Sequence, residues 1–262
     1  MYKLSNVDIP AVLAYIEAEK EVNLFIEGDI ELYGLESEAV DLFAFGDDWD
    51  SLVLRYYENY VIASNKADPD LQQVASFLKG QNVLCLSAKE EYLVQIHHWF
   101  PEVTVQGTYL CKLDKASFRP KSGSHQAPLR LGGEHAEAIV GLYKQIDEFA
   151  KPYLEHEQEK TDQTRDNYEK GCIGYGIFED GKLVCTANIT ARSKNGAMII
   201  GVATLPTYRK KGYASSVMSA LCSQCFADGL TFLCLFYDNP LAGALYHSMG
   251  FETIGRWGMM RF

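Results

Sequence analysis

The sequence predicts an α/β (α+β) chain of two domains, each built on a mixed, mainly antiparallel sheet. Three observations carry that reading. Apolar runs of period two alternate with amphipathic helical stretches along the 262 residues. The segment 119–128 holds Pro120, Ser122, Gly123, Ser124 and Pro128 without apolar periodicity, which is the composition of a linker. The same order of elements then recurs on either side of it. With 47% hydrophobic and 23% charged residues, the composition is that of a folded chain. We therefore expect an N-terminal domain at 1–119, a linker at 120–128 and a second domain at 129–262.

In the first half, apolar or aromatic runs at 39–45, 51–57 and 60–63 read as strands. Helical patterns at 68–78 and 89–99 flank a strand at 82–86, and 103–113 is the last strand. In the second half a short strand at 129–131 precedes a helix marked by Ala136, Ile139, Val140, Tyr143 and Ile146, and a polar stretch follows at 155–169. Ile173, Tyr175 and Ile177 alternate, Asp180-Gly181 turns the chain, and Leu183, Cys185, Ala187 and Ile189 alternate again. Asn195-Gly196 predicts a second turn before 197–205, whose almost wholly apolar character predicts a central strand. Ala214, Val217, Met218, Leu221 and Cys225 then form one helical stripe ending at Gly229 as the residue beyond the C-cap. A buried strand at 231–236, a helix from the Asn239-Pro240 cap to Gly250, and a strand opening at Phe251 complete the chain. Both halves end β-β-β-α-β-α-β. No sequence self-similarity accompanies this order, so the expected repeat is one of structure.

Charge separates the halves more sharply than pattern does. Residues 1–125 carry 10 basic and 20 acidic side chains, whereas 126–262 carry 14 and 15. A chain of net charge −11 repels a phosphate backbone, which argues against nucleic acid as a partner. No apolar run reaches membrane-spanning length and residues 1–10 lack a signal pattern, so we expect no membrane association. Seven cysteines, mostly within apolar runs, fit a reducing, cytoplasmic setting. Cys222 and Cys225 share one helix with no second pair, so no metal site is expected. His97-His98 reads as solvated or packed, Asn188-Ile189-Thr190 matches a glycosylation pattern only formally, and Tyr56, Tyr57 and Tyr60 read as packing residues.

The chemistry concentrates between Gly201 and Ala214. An apolar strand ends at Pro206, a basic turn follows, and a helix begins near Gly212. Such a junction aims unpaired backbone N–H groups and the positive end of a helix at one spot, where a pyrophosphate can sit. Gly212 admits close approach of an anion and Ala214 keeps the first turn slim.

The Arg209-x-x-Gly212-x-Ala214 turn, followed by the block Asn239-x-x-Ala242-x-x-Leu245-Tyr246-x-x-x-Gly250-Phe251, resembles the GNAT superfamily of acetyl-CoA-dependent N-acetyltransferases. The resemblance covers roughly 129–262. It implies that Val202, Ala203 and Thr204 bond the acetyl carbonyl and pantetheine amides through their main chain. It also implies that Arg209, Lys210, Lys211, Gly212, Tyr213, Ala214 and Ser215 wrap the pyrophosphate, that Asn239 faces the pantetheine arm, and that Tyr246 lies near the thioester sulfur as the catalytic residue. Two departures stand out. Residues 197–205 contain no carboxylate, which leaves the general base among Glu148, Glu155, Asp238 and an ordered water. The first half, after Ala63, has no Arg-x-x-Gly-x-Ala, so it is expected to be GNAT-like without the pyrophosphate turn. The expected activity is transfer of an acetyl group from acetyl-CoA to a primary amine, by a monomer or homodimer. An aminoacyl or other acyl transferase of paired GNAT-like fold, and a non-catalytic acyl-CoA sensor, are the alternatives. The acidic first half would favour a cationic small molecule or peptide as acceptor.

Overall fold

The computed structural model describes residues 1–262. It parts into two compact units, neither contiguous in sequence: Met1–Lys112 with Phe236–Pro240 and Thr253–Phe262, and Leu113–Leu235 with Leu241–Glu252. This differs from the linear division expected from the sequence, because segment 120–128 lies inside the second unit and the end of the chain lies in the first.

The first unit contains β1 (Tyr2–Lys3), α1 (Ile9–Ile16), α2 (Leu24–Tyr33), β2 (Val40–Phe45), β3 (Ser51–Tyr56), β4 (Asn59–Ala63), α3 (Gln72–Leu78), β5 (Cys85–Lys89), α4 (Glu90–Ile96) and most of β6 (Val105–Asp114). Its sheet runs β1-β2-β3-β4-β5-β12-β6, where β12 (Glu252–Arg261) is the last strand of the chain. β4 and β5 are parallel. Residues Trp257 to Arg261 of β12 pair antiparallel with Lys89 back to Cys85. Thr108 Oγ1 donates to the Trp257 carbonyl at 3.2 Å, and Arg256 closes a two-pronged ion pair on Glu90 at 2.7 and 2.9 Å. Such long-range pairing leaves no local pattern in the sequence, which is why the division read there is linear.

Both faces of this sheet are covered. Leu52 and Leu54 of β3 face Val12, Ile16, Ile26 and Ile30 in one apolar cluster, while Val53 between them joins Val74, Leu78, Leu93 and Ile96 in the other. Alternate side chains point to opposite faces of a strand, so burial on both faces erases the apolar–polar alternation and leaves a continuous apolar run.

The second unit contains β7 (Leu129–Leu131), α5 (Ala136–Tyr143), α6 (Asp147–Glu155), α7 (Glu157–Glu169), β8 (Gly174–Glu179), β9 (Lys182–Thr190), β10 (Gly196–Thr204), α8 (Tyr213–Ala227), most of β11 (Phe232–Tyr237) and most of α9 (Pro240–Ser248). Its strands run β7-β8-β9-β10-β11. β10 is central, antiparallel to β9 and parallel to β11. The mixed, mainly antiparallel α/β fold is thus the observed one.

Turn chemistry explains most boundaries. Asp180 and Gly181 have φ of 49° and 78°, the two left-handed residues of a tight hairpin turn. Gly229, at φ 99°, ends α8: its N–H reaches the Phe226 carbonyl at 3.4 Å and the Leu230 N–H reaches Cys225 at 3.1 Å. Gly196 has a different reason from the turn expected of it. It opens β10, and an added Cβ would stand 2.4 Å from the Phe232 ring, so close packing of β11 requires the glycine.

Segment 119–128 forms no regular element, yet it is pinned. The Arg119 N–H donates to the Met249 carbonyl at 2.9 Å and the Lys121 N–H to Ser219 Oγ at 2.7 Å. Ser216 Oγ accepts from the Gly123 and Ser124 N–H groups at 3.3 and 3.1 Å. These bonds use backbone donors, to which composition is blind, and they make the expected linker a strap along α8.

Candidate functional site

The site read from the sequence begins on β10. Against β9, Ile200 opposes Asn188 and Ala203 opposes Thr186, so Gly201 and Val202 stand opposite the single residue Ala187. This is a β-bulge, which takes its residues out of the ladder and re-aims the backbone. Gly201 has φ 60°, and a Cβ there would lie 2.0 Å from Tyr143 Oη, so both backbone and space demand glycine. Ala203 is buried, Val202 and Thr204 are partly so, and the Thr204 hydroxyl points at Cys185 Sγ at 3.2 Å. Burial pushes the Cys185 thiol up to about 12, which keeps it protonated.

Beyond Thr204 the turn is shaped for close approach. Arg209 Nε donates back to the Thr204 carbonyl at 3.1 Å. Lys210 and Gly212 adopt left-handed φ of 63° and 77° on either side of Lys211. Alternation of this kind gathers successive N–H groups into a concavity that suits an anion, here at the N-terminus of the 15-residue α8. Arg209, Lys210 and Lys211 are exposed, and the Lys211 ammonium lies 4.8 Å from the centre of the Tyr208 ring. Tyr213 is held by a hydrogen bond to Glu179, which pushes its phenol up to about 12. The strap sets the back wall, since a Cβ on Gly212 would stand 2.3 Å from the Gly123 carbonyl oxygen.

Tyr246 lies on α9, 5% exposed, with its ring 5.8 Å from that of Phe251. Gly250 brings the end of α9 against the start of the strap, where a Cβ would be 2.1 Å from the Ser117 carbonyl oxygen. Asn239 is exposed and falls in the other compact unit. Glu148, Glu155 and Asp238 are all exposed.

A polar array beside the bulge carried no motif in the sequence. Tyr168 donates to Asn188 Oδ1, Asn188 Nδ2 donates to Tyr143 Oη at 3.0 Å, and the Tyr143 hydroxyl donates to the Gly201 carbonyl at 3.2 Å. Tyr143 also meets the rings of Phe149 and Tyr153 at 5.0 and 4.9 Å. Burial raises the phenol pKa values of Tyr143 and Tyr168. The sequence placed Tyr143 on a helical stripe and Asn188 in a formal glycosylation pattern; only the fold brings them together.

Residues 141–251 match the sequence model of the Acetyltransferase (GNAT) family. No curated protein matches the sequence. Among solved structures, a Drosophila protein is 12% identical with a TM-score of 0.72, covering 100% of this chain and 98% of its own. A tandem GNAT protein from the clavulanic acid biosynthesis pathway is 11% identical with a TM-score of 0.62, covering 98% and 96%. A GCN5-related N-acetyltransferase-like protein from Streptococcus suis is 16% identical with a TM-score of 0.59, covering 93% and 98%. At these identities the likeness is one of fold. The second half thus matches the GNAT family in sequence over residues 141–251, and along its whole length the chain shares the fold of a tandem GNAT protein.

Proposed function

We propose that the chain is an N-acetyltransferase that moves an acetyl group from acetyl-CoA to a primary amine, and that the second unit holds the donor. The family match of residues 141–251 supports acyl transfer as the class of chemistry. The single observation that supports the donor site best is the continuous run from the Gly201–Val202 bulge to the left-handed Lys210 and Gly212 at the start of α8. Its parts fit the molecule: a backbone concavity with three exposed basic side chains for a pyrophosphate, and a bulged strand for amides and a carbonyl.

Acetyl-CoA would supply an activated thioester. In this reading the main chain of Val202, Ala203 and Thr204 orients the acyl-bearing arm, and a bulge N–H stabilises negative charge on the carbonyl oxygen as the amine attacks. Arg209 to Ser215 hold the pyrophosphate. The Tyr246 hydroxyl gives a proton or a hydrogen bond to the departing thiolate. The acceptor is a cationic small molecule or peptide amine, an inference supported by the net −10 of residues 1–125. No helix is long and apolar enough to cross a membrane.

Thiol release from acetyl-CoA, measured against a panel of polyamines, amino sugars and peptide N-termini, tests the proposal. Release that depends on one amine class supports it. Acetyl-CoA binding by calorimetry without transfer to any amine would favour an acyl-CoA sensor, and transfer of another acyl or aminoacyl group in preference to acetyl would favour that branch instead.

A further inference from the structure

We propose that Tyr143, Asn188 and Tyr168 are positioning residues: their hydrogen-bond relay holds the Gly201–Val202 peptide in the one orientation that aims the Val202 N–H at the acyl carbonyl. The inference rests on the transferase reading for its catalytic consequence, but its structural content is independent of any ligand.

The relay has a direction. A phenol at the outer end, Tyr168, gives its hydrogen to Asn188 Oδ1; the Asn188 amide gives one hydrogen to Tyr143 Oη; the Tyr143 hydroxyl gives its own to the Gly201 carbonyl at 3.2 Å. The second Asn188 amide hydrogen goes to Thr186 Oγ1 at 3.4 Å, and Thr186 passes its own to the Tyr175 carbonyl at 3.2 Å. Every polar atom of the Asn188 side chain is thus used, as a buried amide requires. Tyr143 and Asn188 are each 5% exposed. Burial raises the phenol pKa of both tyrosines, so they remain hydrogen donors through the neutral range.

Space has been cleared for this array from two strands. A Cβ on Gly174 would lie 2.0 Å from Tyr168 Oη and 2.2 Å from Asn188 Oδ1, and a Cβ on Gly201 would lie 2.0 Å from Tyr143 Oη. Two glycines on different strands therefore yield room to one chain of polar groups.

The consequence follows from peptide geometry. The chain has no cis peptide bonds, and in a trans peptide the C=O of one residue and the N–H of the next point in opposite directions. Fixing the Gly201 carbonyl toward Tyr143 fixes the Val202 N–H away from it. A bulge removes the ladder bonds that would otherwise set this peptide's orientation, so a substitute is needed. An oxyanion donor is effective only when its direction is set before charge develops, and the relay sets it.

The test compares Tyr143→Phe with Tyr153→Phe, whose ring also touches Tyr143 but whose hydroxyl lies outside the relay. In ligand-free protein, the Val202 amide should change its NMR shift and exchange hydrogen faster in Tyr143→Phe but not in Tyr153→Phe. With acetyl-CoA and the best amine, Tyr143→Phe should lower kcat about 10- to 100-fold, at an acetyl-CoA KM within about twofold of the parent. Tyr168→Phe, at the half-buried outer end, should move both readouts in the same direction by less, and it serves if Tyr143→Phe does not fold. An unmoved Val202 amide in the folded variants overturns the proposal, as does a fall in melting temperature with kcat unchanged. A parent that acetylates no amine would instead count against the transferase reading, while the amide shifts still decide the relay.

Discussion

Both units send a strand into a turn, a helix and then a parallel strand, yet the turns after β4 and β10 are built oppositely. β4 pairs with β3 in unbroken register from Asn59 to Ala63, whereas β10 is bulged at Gly201. After β4 the chain answers its own helix end. Asp70 Oδ1 accepts the Gln72 N–H at 3.0 Å, Asp50 Oδ2 accepts the Asp70 N–H at 2.7 Å, and the Tyr92 hydroxyl of α4 donates to the Lys66 carbonyl at 2.8 Å. After β10 the residues Arg209, Lys210 and Lys211 replace carboxylates, and α8 is 15 residues long against 7 in α3. The same topology thus yields one helix start filled by side-chain oxygens and one open to an outside anion. In the proposed reading, charge at the turn, more than fold, decides which unit holds a nucleotide.

The comparison breaks most readily at the bulge. Gly201→Ala places a methyl group against Tyr143 Oη on a backbone of φ 60°, so the bulge should flatten toward the regular form of β4. Loss of one oxyanion donor costs on the order of 10²- to 10³-fold in kcat. We expect a loss of that size with acetyl-CoA binding by calorimetry largely retained, and full activity in the folded variant would mean that the bulge does not serve the carbonyl.

The second test uses the tyrosines of the two closing helices. Tyr92 of α4 gives its hydroxyl to the turn after β4, whereas Tyr246 of α9 is assigned here to the leaving thiolate. Tyr246→Phe should leave acetyl-CoA affinity and melting temperature nearly unchanged and lower kcat toward the low end of the ~10²- to 10⁴-fold typical of a general acid, since a CoA thiolate leaves readily. A kcat within twofold of the parent when chemistry is rate-limiting would remove Tyr246 from the mechanism.

What could be read from the sequence followed what is local. Period and turn chemistry located β10, α8 and the hairpin at Asp180-Gly181, and the Arg209 to Ala214 turn pointed to an anion. The helices α1 and α2 went unread, although Val12, Ile16, Leu24, Ile26 and Ile30 are buried; so did α6, whose Pro152 interrupts its pattern. The pairing of β12 with β5 and the array around Asn188 join residues far apart in sequence, with no motif to mark them. The pinned strap was misread because Lys121, Gly123 and Ser124 use their main chain, and polar side chains there look like those of any linker.

The third test sharpens the contrast in nucleotide binding. Titration should find one CoA per chain; two would mean that the carboxylates after β4 do not close that turn. Gly212→Ala should weaken CoA binding by about 10-fold, and its Cβ would push against Gly123, so the strap should exchange hydrogen faster as well. Gly212→Asp adds like charge to that bulk and should bind more weakly still. CoA affinity unchanged in a folded Gly212→Ala would place the pyrophosphate elsewhere.

The smallest effect should lie in stability, and it belongs to the acidic unit. Asp29, on α2, has its pKa raised to about 7 by burial, which disfavours the carboxylate. The sign follows from linkage. Between the ordinary carboxylate range near pH 4 and about pH 7 the folded protein holds a proton that the unfolded chain has released, so stability is full below that window and falls as pH rises through it. Asp50 and Asp41 act in the opposite sense. Burial opposes their ionisation, but Lys66 beside Asp50, and Lys3 with Arg55 beside Asp41, hold both pKa values below the usual range, and that stability is lost only in acid. Near neutral pH the Asp29 cost therefore stands alone among the three. Asp29→Asn keeps the shape of the neutral acid and removes the titration, so it should raise the melting temperature at pH 8 by a few degrees and change it little at pH 5. Thermal scans of parent and variant at the two pH values read the difference directly. An equal shift at both would mean that the substitution acts through packing, and that the acidity of this unit carries no cost from Asp29.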